Sequence, residues 1–185
     1  MLISNKNKQK YKLTNTEKNI LLFFVEKGIK QIPYSQLWKE MVIDKKKMKD
    51  VEFHIALASL IKKDLITEIP NTNYIPLIWA SDTPAVVKIM LGLERYISAV
   101  LLVALTRFYY VTIKKKRPCI FNIYEFLLAE QEYNVKLIYL ASDKDKKRFK
   151  NALRELVKKG YLVSKKKHIY VFKYEHIPQE IINYI

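Results

Sequence analysis

Lys144, Lys147, Arg148, Asn151, Arg154 and Lys158 follow one another at spacings of one, three or four residues. On an α-helix such positions fall along one side. Five cations and one carboxamide on a single face suit a nucleic acid. An arginine fork can pair with guanine O6 and N7, and asparagine with adenine N6 and N7. Lysines serve phosphate oxygens, where charge matters more than exact placement. Shortly afterwards Lys165-Lys166-Lys167 stands at the expected tip of a short hairpin over 161–174, where it could straddle a phosphate chain. From Ser142 to Tyr174 the chain carries twelve Lys or Arg against three acids, a local net of +9. A solvated helix usually mixes signs for internal ion pairs, and this one mostly does not.

Other chemistries find less support. The net charge of +16 attracts polyanions. The three glycines, Gly28, Gly92 and Gly160, form no phosphate loop. His54, His168 and His176 lack metal-ligand spacing, so neither metal nor cofactor is expected. Glu125, Glu130 and Glu132 read as a solvated helix face. The single cysteine, Cys119, excludes an intramolecular disulfide. It follows "KKKRP", which could lower its pKa, but no histidine in the pattern would activate it. Enzyme is therefore the least supported class. The largely apolar stretch 85–113 is interrupted by Lys88, Glu94, Arg95 and Arg107. Its longest uncharged run, Tyr96–Thr106, is eleven residues, short of the ~20 that a spanning helix wants. No membrane span is expected. The first twelve residues hold lysines without an apolar run behind them, so no secretory signal is expected either and the cytoplasm is the expected compartment.

The elements that must position these groups can be read from caps and periodicity. Thr14-Asn15-Thr16-Glu17 is a capping box, followed by the helical face Ile20, Leu21, Phe23, Phe24 and Val25 and a terminating Gly28. Ile32-Pro33-Tyr34 is a short extended connector, and Ser35 is expected to cap a second helix. A third helix is expected over 44–63. Leu65–Ile69 and Tyr74–Trp79, around "PNTN", read as a hairpin. Pro84 then opens an expected long helix, 84–113. "CIFNI" follows as a second extended piece. Asn122 caps one helix and Ser142-x-x-Asp145 the next, and the second hairpin comes after that.

The two third helices repeat each other. "FHIALASLIKKDLI" at 53–66 and "FKNALRELVKKGYL" at 149–162 coincide at six of fourteen positions, Phe, Ala, Leu, Leu, Lys and Lys, and the four apolar ones fall on one stripe. Helix, short strand, two helices and a hairpin, written twice, resembles the winged-helix fold. The resemblance implies a mainly α chain with small β-hairpins. Two tandem winged helix-turn-helix units would be joined through a long helix. The expected parts are a flexible basic arm over 1–12, a first unit over 13–81, and a second unit over 82–185 beginning with the helix 84–113. That helix is about twice the usual length, and "EQEYNVKLIYLA" is an insertion without counterpart. Two unrelated helix–hairpin pieces with convergent apolar spacing would give a similar pattern.

In winged-helix proteins the third helix enters the major groove and the hairpin touches the backbone. The resemblance therefore implies a double-stranded DNA-binding protein and a transcription regulator, reading with helix 143–159. The alternative is a replication-initiation or DNA-segregation protein whose first unit binds protein. In that unit the outer positions hold Met48, Val51, Ile55, Ala58 and Ser59, a mostly apolar face expected to be a protein interface. Lys45, Lys46, Lys47 and Lys49 could still reach phosphates as secondary DNA contacts. The helix 84–113 is expected to be buried between the units or to form a homodimer on a palindromic site. RNA binding, suggested by thirteen tyrosines, and a peripheral membrane role are the remaining readings.

Overall fold

The computed structural model describes residues 13–70, 77–80, 82–130 and 142–185. The chain divides into two compact units, one taking the residues up to Ile89 together with Tyr184, the other Met90–Asn183 with Ile185. Among the described residues it is mainly helical, with two small antiparallel sheets of three strands. The expected arm 1–12 and most of the insertion 130–141 lie outside the described residues, as does most of the "PNTN" turn.

The first unit runs α1 (Asn15–Lys27), β1 (Gln31–Pro33), α2 (Tyr34–Trp38), α3 (Asp50–Lys62), β2 (Thr67–Ile69) and β3 (Leu77–Trp79). Its sheet order is β1-β3-β2, with Ile32 opposite Ile78 and Glu68 on the other flank of the same residue. The capping box forms as the sequence reads it. Thr14 Oγ1 accepts from the Glu17 amide at 3.2 Å, and Glu17 Oε2 accepts from the Thr14 amide at 2.7 Å. Gly28 takes the left-handed position at φ 61°. Ser35 does not cap; it lies inside α2, which Pro33 precedes without a side-chain cap. A π-helical turn, Lys39–Asp44, extends α2, so the third helix starts at Asp50, six residues later than expected. Its core face is Phe53, Ala56, Leu57 and Leu60.

The stretch expected as one helix over 84–113 is three: α4 (Thr83–Met90), α5 (Tyr96–Phe108) and α6 (Tyr110–Lys114). Asp82 Oδ1 accepts from the Ala85 amide at 2.9 Å and caps α4. Gly92, at φ 60°, turns the chain out of the first helix. α5 then restarts at Tyr96, and its residues Ala99–Leu105 are each 4% exposed or less.

The second unit continues with β4 (Cys119–Asn122), α7 (Ile123–Ala129), α8 (Asp143–Lys158), β5 (Leu162–Lys166) and β6 (Ile169–Phe172), and ends in α9 (Gln179–Tyr184). Its sheet order, β4-β6-β5, is the same as in the first unit. Cys119 stands opposite Phe172 and Asn122 opposite Ile169. Asn122 caps α7 through the Tyr124 amide, and Ser142 caps α8 through the Asp145 amide.

The helix repeat extends into polar detail. Both third helices close with the same bonds. Asp64 N donates to Ile61 O and Leu65 N to Leu60 O; Gly160 N donates to Val157 O and Tyr161 N to Leu156 O. Asp64 and Gly160 both have positive φ, 54° and 81°. The same alignment sets Ser59 against Glu155 and Lys63 against Lys159. In the first unit Glu17, near the start of α1, is met by Ser59 and by Lys63 Nζ at 2.5 Å. In the second the parts are exchanged. Glu155 of α8 reaches the start of α5, where its carboxylate accepts from Ser98 Oγ at 2.6 Å, from the Glu94 amide, and from the Arg95 amide at 3.2 Å. Lys159 Nζ donates to Gly92 O at 3.1 Å. One buried carboxylate caps the first helix of each unit, supplied from opposite partners.

Gly160→Ala should destabilise the chain. The backbone there has φ 81°, and an added Cβ would stand 3.3 Å from His176 Nδ1, which donates to Gly160 O at 2.9 Å. A left-handed non-glycine residue and this crowding together should cost about 1–2 kcal/mol, read from a urea denaturation midpoint.

Candidate nucleic-acid interface

α8 is held by Phe149, Ala152, Leu153 and Leu156, all buried, and by the buried Glu155. Burial alone would raise the Glu155 pKa. The bonds from Ser98, Glu94 and Arg95 outweigh it and hold the carboxyl below its usual range. The carboxylate restrains α8 rotationally, because turning the helix would withdraw it from those amides and from Ser98.

That anchoring sets which side of α8 meets solvent. At about 100° per residue, Glu155 falls between Arg148 and Asn151 on the helical wheel. Pulling it inward half-buries both neighbours and turns the free arc the other way. Lys144, Lys147, Arg154 and Lys158 are exposed, and so are Lys150 and Val157. Arg148 is also committed, its Nη1 lying 3.1 Å from Asp145 Oδ1. Lys146 pairs with Asp143 at 3.0 Å. The first turn of α8 therefore mixes signs more than its letters suggest. Asn151 Oδ1 accepts from Arg154 Nη1 at 3.4 Å.

The lysine-tipped turn lies between β5 and β6. Lys165, Lys166 and Lys167 are exposed, a β-bulge interrupts the register between Ser164 and Lys166, and His168 closes the turn at φ 68°. Between helix and hairpin runs an open groove of about 440 Å³, lined by Lys150, Leu153, Arg154, Val157 and Lys158 from α8 and by Ser164 and Tyr170 from the hairpin. Its floor is apolar and its rim cationic. Sequence reasoning placed Arg154 and Lys158 here but missed Lys150, Val157, Ser164 and Tyr170. The available signal was Lys150-Arg154-Lys158, a run at i, i+4, i+8.

In the first unit the outer positions separate. Val51 and Ile55 are 67% and 66% exposed, and Ala58 is exposed too. Met48 is not part of this face. It is 7% exposed, because it precedes the helix and tucks inward, whereas its counterpart Lys144 lies within the longer α8. Lys45, Lys46, Lys47 and Lys49 are exposed but occupy the loop before α3. Lys47 pairs with Glu26 at 3.7 Å, and Lys45 lies 5.4 Å from the Phe23 ring centre. A polar cluster at the start of α3 escaped the sequence reading. Tyr34 OH donates to His54 Nε2 at 2.6 Å, His54 Nδ1 donates to Asp50 O at 2.8 Å, and Trp38 Nε1 donates to Asp50 Oδ1 at 2.6 Å. Burial, with the Asp50 and Glu68 charges, pushes the Tyr34 phenol up, so it stays a donor.

Cys119 is buried, and burial with the Glu175 charge pushes its thiol up to about 11, opposite to the effect expected of the preceding cations. Among the described residues no group of three or more His, Cys, Asp or Glu could hold a metal ion. No described helix is long and apolar enough to cross a membrane. No family model, no curated protein and no solved structure matches the chain.

Proposed function

We propose that the chain is a double-stranded DNA-binding protein of tandem winged-helix type, acting as a transcription regulator in the cytoplasm. α8 enters the major groove and the β5–β6 hairpin grips the adjacent backbone. The observation that carries this reading is the free cationic arc of α8 and the lysine-tipped turn flanking one groove in the same unit. Shared element order and sheet order in the two units support the tandem fold. The reading includes a homodimer on a palindromic site. Its contact cannot be Ala99–Leu105, which the chain itself already buries. Selection of bound duplexes from a random pool tests the whole reading. Enrichment of one motif, in two inverted half-sites, is the expected result; no enrichment over input would overturn it.

The second reading, a replication-initiation or DNA-segregation protein, rests on the exposed Val51 and Ile55, an apolar face suited to a protein partner. A footprint separates the two: one bounded site supports regulation, and protection spreading along the duplex supports the alternative.

Lys165, Lys166 and Lys167 should act as phosphate contacts. Replacing all three with Gln should weaken specific and random duplexes alike. It should also flatten the slope of log affinity against log salt by about 2–3, since each phosphate contact contributes roughly 0.9. A loss confined to one sequence would assign them to base reading instead.

A further inference from the structure

The sequence contains three Lys-Lys-Lys triplets, at 45–47, 114–116 and 165–167. Each sits in an exposed turn that holds a non-glycine residue at positive φ: Lys46 at 46°, Lys116 at 52° and His168 at 68°. The 165–167 turn belongs to the interface proposed above, and the 45–47 turn holds the lysines expected from the sequence as secondary contacts. The third closes α6 and is unassigned. Lys116 N donates to Ile113 O and Arg117 N to Thr112 O, which folds the turn back on the helix end. Lys114, Lys115, Lys116 and Arg117 are all exposed. None has an ion-pair partner among the described residues, and Lys114 Nζ lies 4.4 Å from the Tyr110 ring centre. One or two cations commonly complement a helix C-terminus. Four in succession, one of them a lysine in a conformation that favours glycine, exceed that need.

Strand register places this turn away from the lysine-tipped one. Asn122 and Ile169 meet at the end of the sheet that carries Lys167, while Cys119 and Phe172 meet at the other end. Arg117 lies two residues beyond Cys119. At about 3.3 Å per strand residue, the two cationic turns are on the order of 20 Å apart along the sheet, close to the width of a duplex.

We propose that Lys114–Arg117 is a second binding site for a run of phosphodiesters, separate from the α8 groove. Lysines fit that ligand because they contribute charge without demanding a fixed direction. The proposal rests on the reading that the chain binds DNA. The run can come from the continuation of the same duplex or from a second duplex.

The test compares the full chain with the Lys115→Gln, Lys116→Gln, Arg117→Gln triple variant near physiological salt. With short duplexes of ~10 base pairs, the number bound per chain should fall by one in the variant. With long duplexes, capture of a labelled duplex on a bead-bound one, lost in the variant, assigns the site to a second duplex. A footprint that shortens in the variant without such capture assigns it to the same duplex. Unchanged stoichiometry, footprint and capture would overturn the second site and leave the α8 reading standing. No duplex binding by either protein would overturn both. Loss in the variant only of flotation with anionic vesicles would overturn the proposal in favour of a lipid surface.

Discussion

Glu155→Ala is expected to lower the unfolding free energy by about 3 kcal/mol. The substitution removes the acceptor for the Glu94 and Arg95 amides and the Ser98 hydroxyl. A buried donor left without a partner costs about 1–3 kcal/mol, and breaking a buried charged pair is more severe. Arg95, whose Nη1 lies 3.3 Å from Glu155 Oε2, is 42% exposed on its side chain and can turn to water, so the loss falls mainly on the amides and Ser98. Glu155→Gln keeps the volume and one acceptor and should cost about half as much. Urea denaturation of the single and double variants with Ser98→Ala would read the coupling. A loss below about 1 kcal/mol for Glu155→Ala would mean that water replaces the carboxylate. The same bonds predict acid sensitivity. Glu17 and Glu155 both hold their carboxyls below the usual range, against a burial effect that alone would raise them. Their contribution to stability is complete above the pH where glutamate ionises in the unfolded chain, roughly 4–5. It is lost as pH falls through the lower folded-state values. Glu155→Gln should flatten that decline.

The exchanged carboxylates also explain what the sequence could and could not disclose. Phe53, Leu57 and Leu60 match Phe149, Leu153 and Leu156 because a shared core edge constrains size and polarity locally, and such constraints leave a periodic signal. The functional face is different. Its rotation about the α8 axis depends on Glu155 meeting amides some sixty residues earlier, which no local pattern encodes. Read by wheel geometry alone, Asn151 belongs near the centre of the free arc; the anchoring half-buries it and leaves Lys150, which lies further round the helix, exposed. The break at Gly92 was illegible for the same reason, since a lone glycine in an apolar stretch does not announce that α5 begins afresh with a cap borrowed from α8. Met48 was misplaced because its environment depends on where α3 starts, and helix starts are the least certain element of a periodicity reading.

Arg154→Ala should weaken binding to the selected duplex by about 1–3 kcal/mol, roughly five- to 150-fold, and relax base preference at one position. The argument runs from commitment of the guanidinium. Arg148 is paired with Asp145 and half-buried, so releasing it for a base edge would first break that ion pair. Arg154 is exposed on the groove wall, and its only described partner is the long bond to Asn151 Oδ1. Arg148→Ala is accordingly expected to cost under about 1 kcal/mol. Charge and geometry separate with Arg154→Lys. A lysine retains attraction to phosphates but lacks the fork that meets guanine O6 and N7 together. The lysine variant should therefore bind random duplexes like the parent while losing most of the preference for the selected one. Asn151→Ala, which frees the Arg154 side chain from its neighbour, should reduce that preference by a smaller factor. If Arg154→Lys kept full sequence preference, Arg154 would be a phosphate contact and base reading would pass to Asn151 and the exposed Lys147 beside it.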